Sequence, residues 1–176
     1  MQKELFTEDQ AFCQTAVSRS AVISDCGNYR YQLSRIWDEK LPMMLFIMLN
    51  PSKADANKDD PTIRRCITFA KSWGFGGFYV CNLFAFRATK PADLLAAEWP
   101  HGDENTFYIR QTVEKVETIV CAWGNSVAVR KLLKKESPFR LIGLSQKRMQ
   151  YLKLSKDGTP WHPLFVKGDV VPKHFG

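Results

Sequence analysis

The sequence predicts a three-layer α/β/α domain with a mostly parallel central sheet and an N-terminal β-hairpin. Three short runs, Met43–Leu49, Phe78–Leu83 and Thr118–Trp123, are apolar with no alternation of character. That is the pattern of strands covered on both faces. Helix signals separate these runs, and alternating strands and helices place a parallel sheet between helical layers. The third observation is a cluster of turn-forming residues, Asp25-Cys26-Gly27-Asn28, between Ala21–Ser24 and Tyr29–Trp37, both rich in β-branched or aromatic types. Such a cluster marks a hairpin.

Each element has a local cause. Asp60 precedes Pro61-Thr62-Ile63. An Asp at that place caps free N–H groups, and Pro fits a first turn where a missing N–H costs nothing. The helix is expected to reach Trp73, where Gly74, Gly76 and Gly77 stop it. Further helices are expected over Pro91–Ala97, Asp103–Lys115 and Ser126–Lys135, the last with Val127, Leu132 and Leu133 inward and its basic residues outward. A fourth strand is expected over Phe139–Leu144, followed by a polar, loop-like segment from Ser145 onward. Repeats and low-complexity stretches are absent from the sequence.

A chain of 176 residues suits one domain with one substantial core: a hairpin over 17–37 and an α/β core over 41–165. Five cysteines without a C-x-x-C pair, three of them inside apolar runs, read as reduced and mostly buried thiols. This implies a reducing, cytoplasmic compartment and no metal or cofactor. The longest apolar run is too short to span a bilayer, and residues 1–20 lack a secretory pattern. Lys and Arg outnumber Asp and Glu by 25 to 18, a formal net charge of +7, which suits a polyanion. Solvated basic faces account for such an excess equally well.

Ligands of open α/β sheets bind beyond the carboxyl ends of the strands. Polar residues gather there: Asn50-Pro51-Ser52 after the first apolar run, Asn82 with Arg87 after the second, Trp123-Gly124-Asn125 after the third, and His162-Pro163 late in the chain. The Asn82 carboxamide either ties loops together internally or offers a donor and acceptor pair to a nucleobase edge. Asn50 is either a turn opener or a ligand holder. His162, stiffened by Pro160 and Pro163, is the best histidine for a site, with a surface role as the alternative. Asp55 and Asp59 are candidate general bases or metal contacts, whereas Asp60 reads as a helix cap. Arg64, Arg65, Arg130, Lys131 and Lys134 are the candidate nucleic-acid contacts.

The run LNPSKADANKDDPTIRRC, followed by WGFGG, YVCNLFAFRAT, CAWGN and GTPWHPLF, resembles the bacterial and phage domain-of-unknown-function family DUF1643 across almost the whole chain. More distantly, the ordered pieces are similar to motifs of the uracil-DNA glycosylase superfamily. That resemblance implies a glycosylase-like fold, with Asn50 positioning water, Asn82 reading the base and His162 stabilising the leaving base. Pro51, Ser52, Arg87, Trp123 and Asn125 would then border the substrate. It also implies a nucleic-acid partner, DNA ahead of RNA, or a nucleotide, and hydrolysis of an N-glycosidic bond. The other reading is a non-catalytic nucleic-acid or nucleotide binder in phage–host conflict or base-modification sensing. Two departures stand out: Met48-Leu49 where the superfamily keeps a small Gly, and Leu164-Phe165 after His162-Pro163.

Overall fold

The computed structural model describes residues 18–134, 137–143 and 149–175. Its strands are β1 (Ser18–Ile23), β2 (Arg30–Ile36), β3 (Met43–Met48), β4 (Gly77–Asn82), β5 (Thr118–Cys121), β6 (Met149–Tyr151) and β7 (Lys173–His174). They form one mixed sheet in the order β1-β2-β4-β3-β5-β6-β7. The central strands β4, β3, β5 and β6 are mutually parallel. Antiparallel strands close both edges, β1 and β2 on one side and β7 on the other. The hairpin is therefore part of the sheet, because β2 pairs with β4 through Leu33 and Val80.

The helices are α1 (Pro61–Ser72), α2 (Pro91–Ala96), α3 (Asn105–Glu114), α4 (Val127–Leu133) and α5 (Pro138–Ile142). Alternation along β3 sends Met44, Phe46 and Met48 toward Ile63, Cys66 and Phe69 of α1. Leu45 and Ile47 face the opposite way, toward Leu94, Ile109, Val129 and Ile142 of the other four helices. Both faces of β3 are dry, which is why its sequence carries no polar alternation. The Asp60 side chain caps α1 by accepting from the Ile63 N–H, and Gly74, at φ +81°, follows its end.

The segment expected as a fourth strand, Phe139–Leu144, is helical through Ile142, and Leu144 lies outside the described residues. Pro138 opens this helix and Gly143, in the left-handed region at φ +73°, ends it. Phe139 and Ile142, three apart, both pack on the core, a helical spacing that reads equally as a short apolar run. The fourth parallel strand is β6, inside the stretch expected to be loop. In α4, Leu132 and Leu133 pack on the core as expected, whereas Val127 is 59% exposed and Val129 is buried in its stead. Arg130, Lys131 and Lys134 are exposed, and Lys135 lies outside the described residues. Among the described residues no helix is long and apolar enough to cross a membrane.

Candidate functional site

The sheet reverses its order at β3: the chain leaves it for β4 on one side and returns at β5 on the other. Crevices form at such a reversal, beyond the carboxyl ends of the strands. A cavity of about 340 Å³ lies there. Asn50, Ser52, Asp60, Gly124, Asn125 and His162 contribute to its lining. That volume falls within the range of small-molecule sites, about 300–1,000 Å³.

Two rim loops are laced together at its edge. The Ala88 N–H donates to the Pro51 carbonyl at 2.9 Å, and Ser52 and Thr89 meet through their hydroxyls at 3.3 Å. Asn50 completes the seam, its Nδ2 donating to the Ala88 carbonyl at 2.8 Å and to the Pro51 carbonyl at 3.0 Å. Both amide hydrogens are thereby engaged. The orientation of the carboxamide is fixed, and its Oδ1 is the atom left to accept from a ligand or water.

His162 caps the short 3₁₀ turn Pro163–Phe165, its Nδ1 accepting from the Leu164 N–H at 3.3 Å. In the neutral ring the proton then sits on Nε2, a donor. Burial pulls the His162 pKa down to about 4, against the opposing pull of Asp60, so the ring is neutral at pH 7. Gly124 makes this placement available. Its φ is +81°, and a Cβ there would stand 3.3 Å from the His162 Cβ. Trp123 is a buried wall, packed edge-on against Phe139 at 5.8 Å, that also borders the cavity.

Several expected residues lie elsewhere. Asn82 is buried and outside the cavity lining, with its Oδ1 accepting from Arg30 at 3.3 Å. Asp55 uses its Oδ1 to accept from the Asn57 and Lys58 N–H groups, both at 2.8 Å, closing its own loop. Those bonds hold its carboxyl below the ordinary range. Asp55 and Arg87 instead line a neighbouring open depression with Lys53 and Lys58, reached across Ser52 and Thr89. Asp59 is paired with Arg19 and Arg35. On α1, Arg64 donates to the Asp59 carbonyl and Arg65 to the Val166 carbonyl, with the Arg65 guanidinium 4.6 Å above the Phe69 ring. Arg130 donates to the Asn125 carbonyl at 2.9 Å, and none of these basic side chains lines the cavity.

Asp60, Phe165 and Arg30 are among the lining residues not picked out from sequence as parts of a site. Asp60 caps α1 through Oδ1, and no described residue donates to its Oδ2. Phe165, 70% exposed, stands at the mouth. Arg30, 2% exposed, belongs to the lining as well. In sequence Arg30 lies between Tyr29 and Tyr31, and a cation alternating with aromatic residues in a strand reads as part of a polar face.

Fold and cavity define the class: an α/β domain with a mixed sheet and, at its switch point, a cavity lined by both polar and apolar groups. The chain belongs to the family described as "Protein of unknown function (DUF1643)", whose model matches residues 30–164. No curated protein and no solved structure matches it.

Proposed function

We propose that this chain binds a nucleobase or nucleotide in the cavity, within DNA, and hydrolyses its N-glycosidic bond. The observation that carries the reading is the meeting of Asn50, Asp60 and His162 on one cavity walled by Trp123 and Gly124. In this reading a water is held by the Asn50 Oδ1 and activated by the Asp60 Oδ2. The water oxygen bonds to the anomeric carbon as the carbon–nitrogen bond breaks. The electron pair leaves with the base, and the neutral His162 donates a hydrogen bond from Nε2 to the charge developing there. A base within a duplex has to be flipped out to reach the site. The likeness to uracil-DNA glycosylases supports the same chemistry through Asn50, Trp123 and His162, which line the cavity, and not through Asn82, which does not. Buried thiols at Cys66, Cys81 and Cys121 fit a reducing, cytoplasmic setting.

Purified protein incubated with DNA containing uracil, mismatched or hypermodified bases is expected to leave abasic sites. Asn50→Ala, Asp60→Asn and His162→Ala are expected to lower that yield by about 100-fold or more, the usual scale for acid–base and oxyanion-type groups. Absence of base release from every substrate sinks the hydrolytic reading. One observation favours a second reading, a non-catalytic binder of nucleic acid or nucleotide in phage–host conflict or modification sensing. Asn50 ties two loops and Asp60 caps a helix, so both have structural duties. Salt-dependent DNA binding without base release selects it.

A further inference from the structure

β2 carries two buried arginines, and the fold treats them differently. Arg35 donates to the Asp59 carboxylate from Nε at 2.8 Å and to the Ser34 and Asp55 carbonyls at 2.7 and 2.6 Å. Its charge is paired and its donors are satisfied. Arg30 donates only to the Ala54 carbonyl at 2.9 Å and, at 3.3 Å, to the Asn82 Oδ1. Its Nε has no partner among the described residues, and neither does the Asn82 Nδ2. Both ion pairs formed by described residues involve Asp59 and leave Arg30 out.

No carboxylate among the described residues contacts the Arg30 guanidinium, and Asp60, on the same cavity, offsets its charge only from a distance. A buried cation without a contacting partner weakens the fold that holds it. Burial pulls the Arg30 pKa down to about 10, which still leaves the group charged at neutral pH. The structural use of an arginine here is exemplified by Arg35, and Arg30 does not share it. What distinguishes Arg30 is its place: it is in the cavity lining, and Asn82 stands behind it.

We propose that Arg30, positioned by Asn82, is the specificity-determining group of the cavity and selects a ligand that presents an acceptor-only edge or an anionic oxygen pair. The inference rests on the cavity being a nucleobase or nucleotide site. A guanidinium has donors and no acceptor, so it matches paired acceptors such as the O6 and N7 of guanine or two oxygens of a phosphate. It opposes the adenine edge, where a donor amino group sits beside N7. The carboxamide of Asn82 on its own would prefer the mixed adenine edge, so interposing Arg30 changes which base is accepted.

Calorimetric titration of the purified protein with GMP, AMP, guanosine and inorganic phosphate tests this, beside Arg30→Met, Arg30→Lys and Asn82→Ala. Where Arg30 meets the base, GMP is expected to bind at least about 10-fold more tightly than AMP; where it meets the phosphate, GMP and AMP bind alike; in both cases Arg30→Met is expected to weaken GMP by about 10- to 100-fold. Guanosine bound as well as GMP assigns the acceptors to the base. Phosphate binding lost in Arg30→Met, with guanosine silent, assigns them to the phosphate. Arg30→Met also leaves the Ala54 carbonyl and the Asn82 Oδ1 without their donor, so its folding is checked by its melting curve and its binding is read beside Arg30→Lys, which keeps a cation at the site. GMP and phosphate binding unchanged in Arg30→Met overturns the proposal. So does a wild type that binds none of the four probes. Base release that persists in Arg30→Met with unaltered base preference removes this inference and leaves the hydrolytic reading standing.

Discussion

Replacing Asp59 by Ala removes the only carboxylate that contacts the buried Arg35 among the described residues. The Arg35 side chain is fully buried and keeps its contacts with the Ser34, Asp55 and Lys58 carbonyls. Removing one partner of a buried ion pair costs about 3–5 kcal/mol. Asp59 retains 17% side-chain exposure, so water can enter the vacated place, which puts the expected loss near the lower bound, about 3 kcal/mol. For a domain of this size that lowers Tm by about 6–12 °C. Arg19 also contacts Asp59, but its side chain is 35% exposed, and Arg19→Ala is expected to cost under about 1 kcal/mol. Urea denaturation followed by circular dichroism reads these effects together with Arg35→Met and the double variant Asp59→Ala/Arg35→Met, in which most of the Asp59→Ala loss should return. An Asp59→Ala loss under about 1 kcal/mol, or strict additivity in the double variant, would refute the reasoning.

Gly124→Ala forces a side chain into the left-handed region and against the His162 Cβ, so a stability loss of about 1–2 kcal/mol is expected, with weakened ligand binding. Unchanged binding and stability would show that the His162 loop yields freely. The His162 pKa is lowered in the fold, so between pH 6.5 and about 4 the unfolded chain binds the extra proton. Stability from this residue is thus present above that window and lost as pH falls through it. His162→Gln should flatten that part of a melting-temperature profile, and an identical slope in the variant refutes the assignment. A strand tracking the depression beside the cavity would meet Lys53, Lys58 and Arg87. Lys53→Glu/Lys58→Glu is then expected to reduce the slope of log K against log salt by about 0.7 per lost contact on single-stranded DNA. An unchanged slope, with a reduced one in Lys131→Glu/Lys134→Glu, moves the nucleic acid to α4.

The central elements were readable because their causes are local. β3, α1, β4 and β5 have dry faces or caps written into consecutive residues, and they appear within a residue or two of expectation, apart from the shorter β5. Phe139–Leu144 misled because a short, largely apolar segment fits either period, and Pro138 and Gly143 decide it only once weighed as a start and a stop. β6 escaped because three residues inside a polar tract carry no pattern. For the site, the ends of β3 and β5 and the His162 turn do meet on one cavity, as strand ends in such sheets tend to. Arg30 was hidden by topology. It opens an antiparallel strand, so the start of β2 arrives at the rim where its parallel neighbours finish.

That reversed strand also ties the making of the cavity to the order of synthesis. β2 is made before β3, α1 and β4, yet in the sheet it pairs with β4 and not with β3. Until β4 is in place, β2 has only β1 as a neighbour, and an isolated two-stranded hairpin is marginal in water. Contacts across such a separation form only after the intervening loop has closed. The Arg30 floor of the cavity is therefore assembled when the hairpin docks on β4, and a nascent chain that stops short of β4 carries the arginine without a pocket.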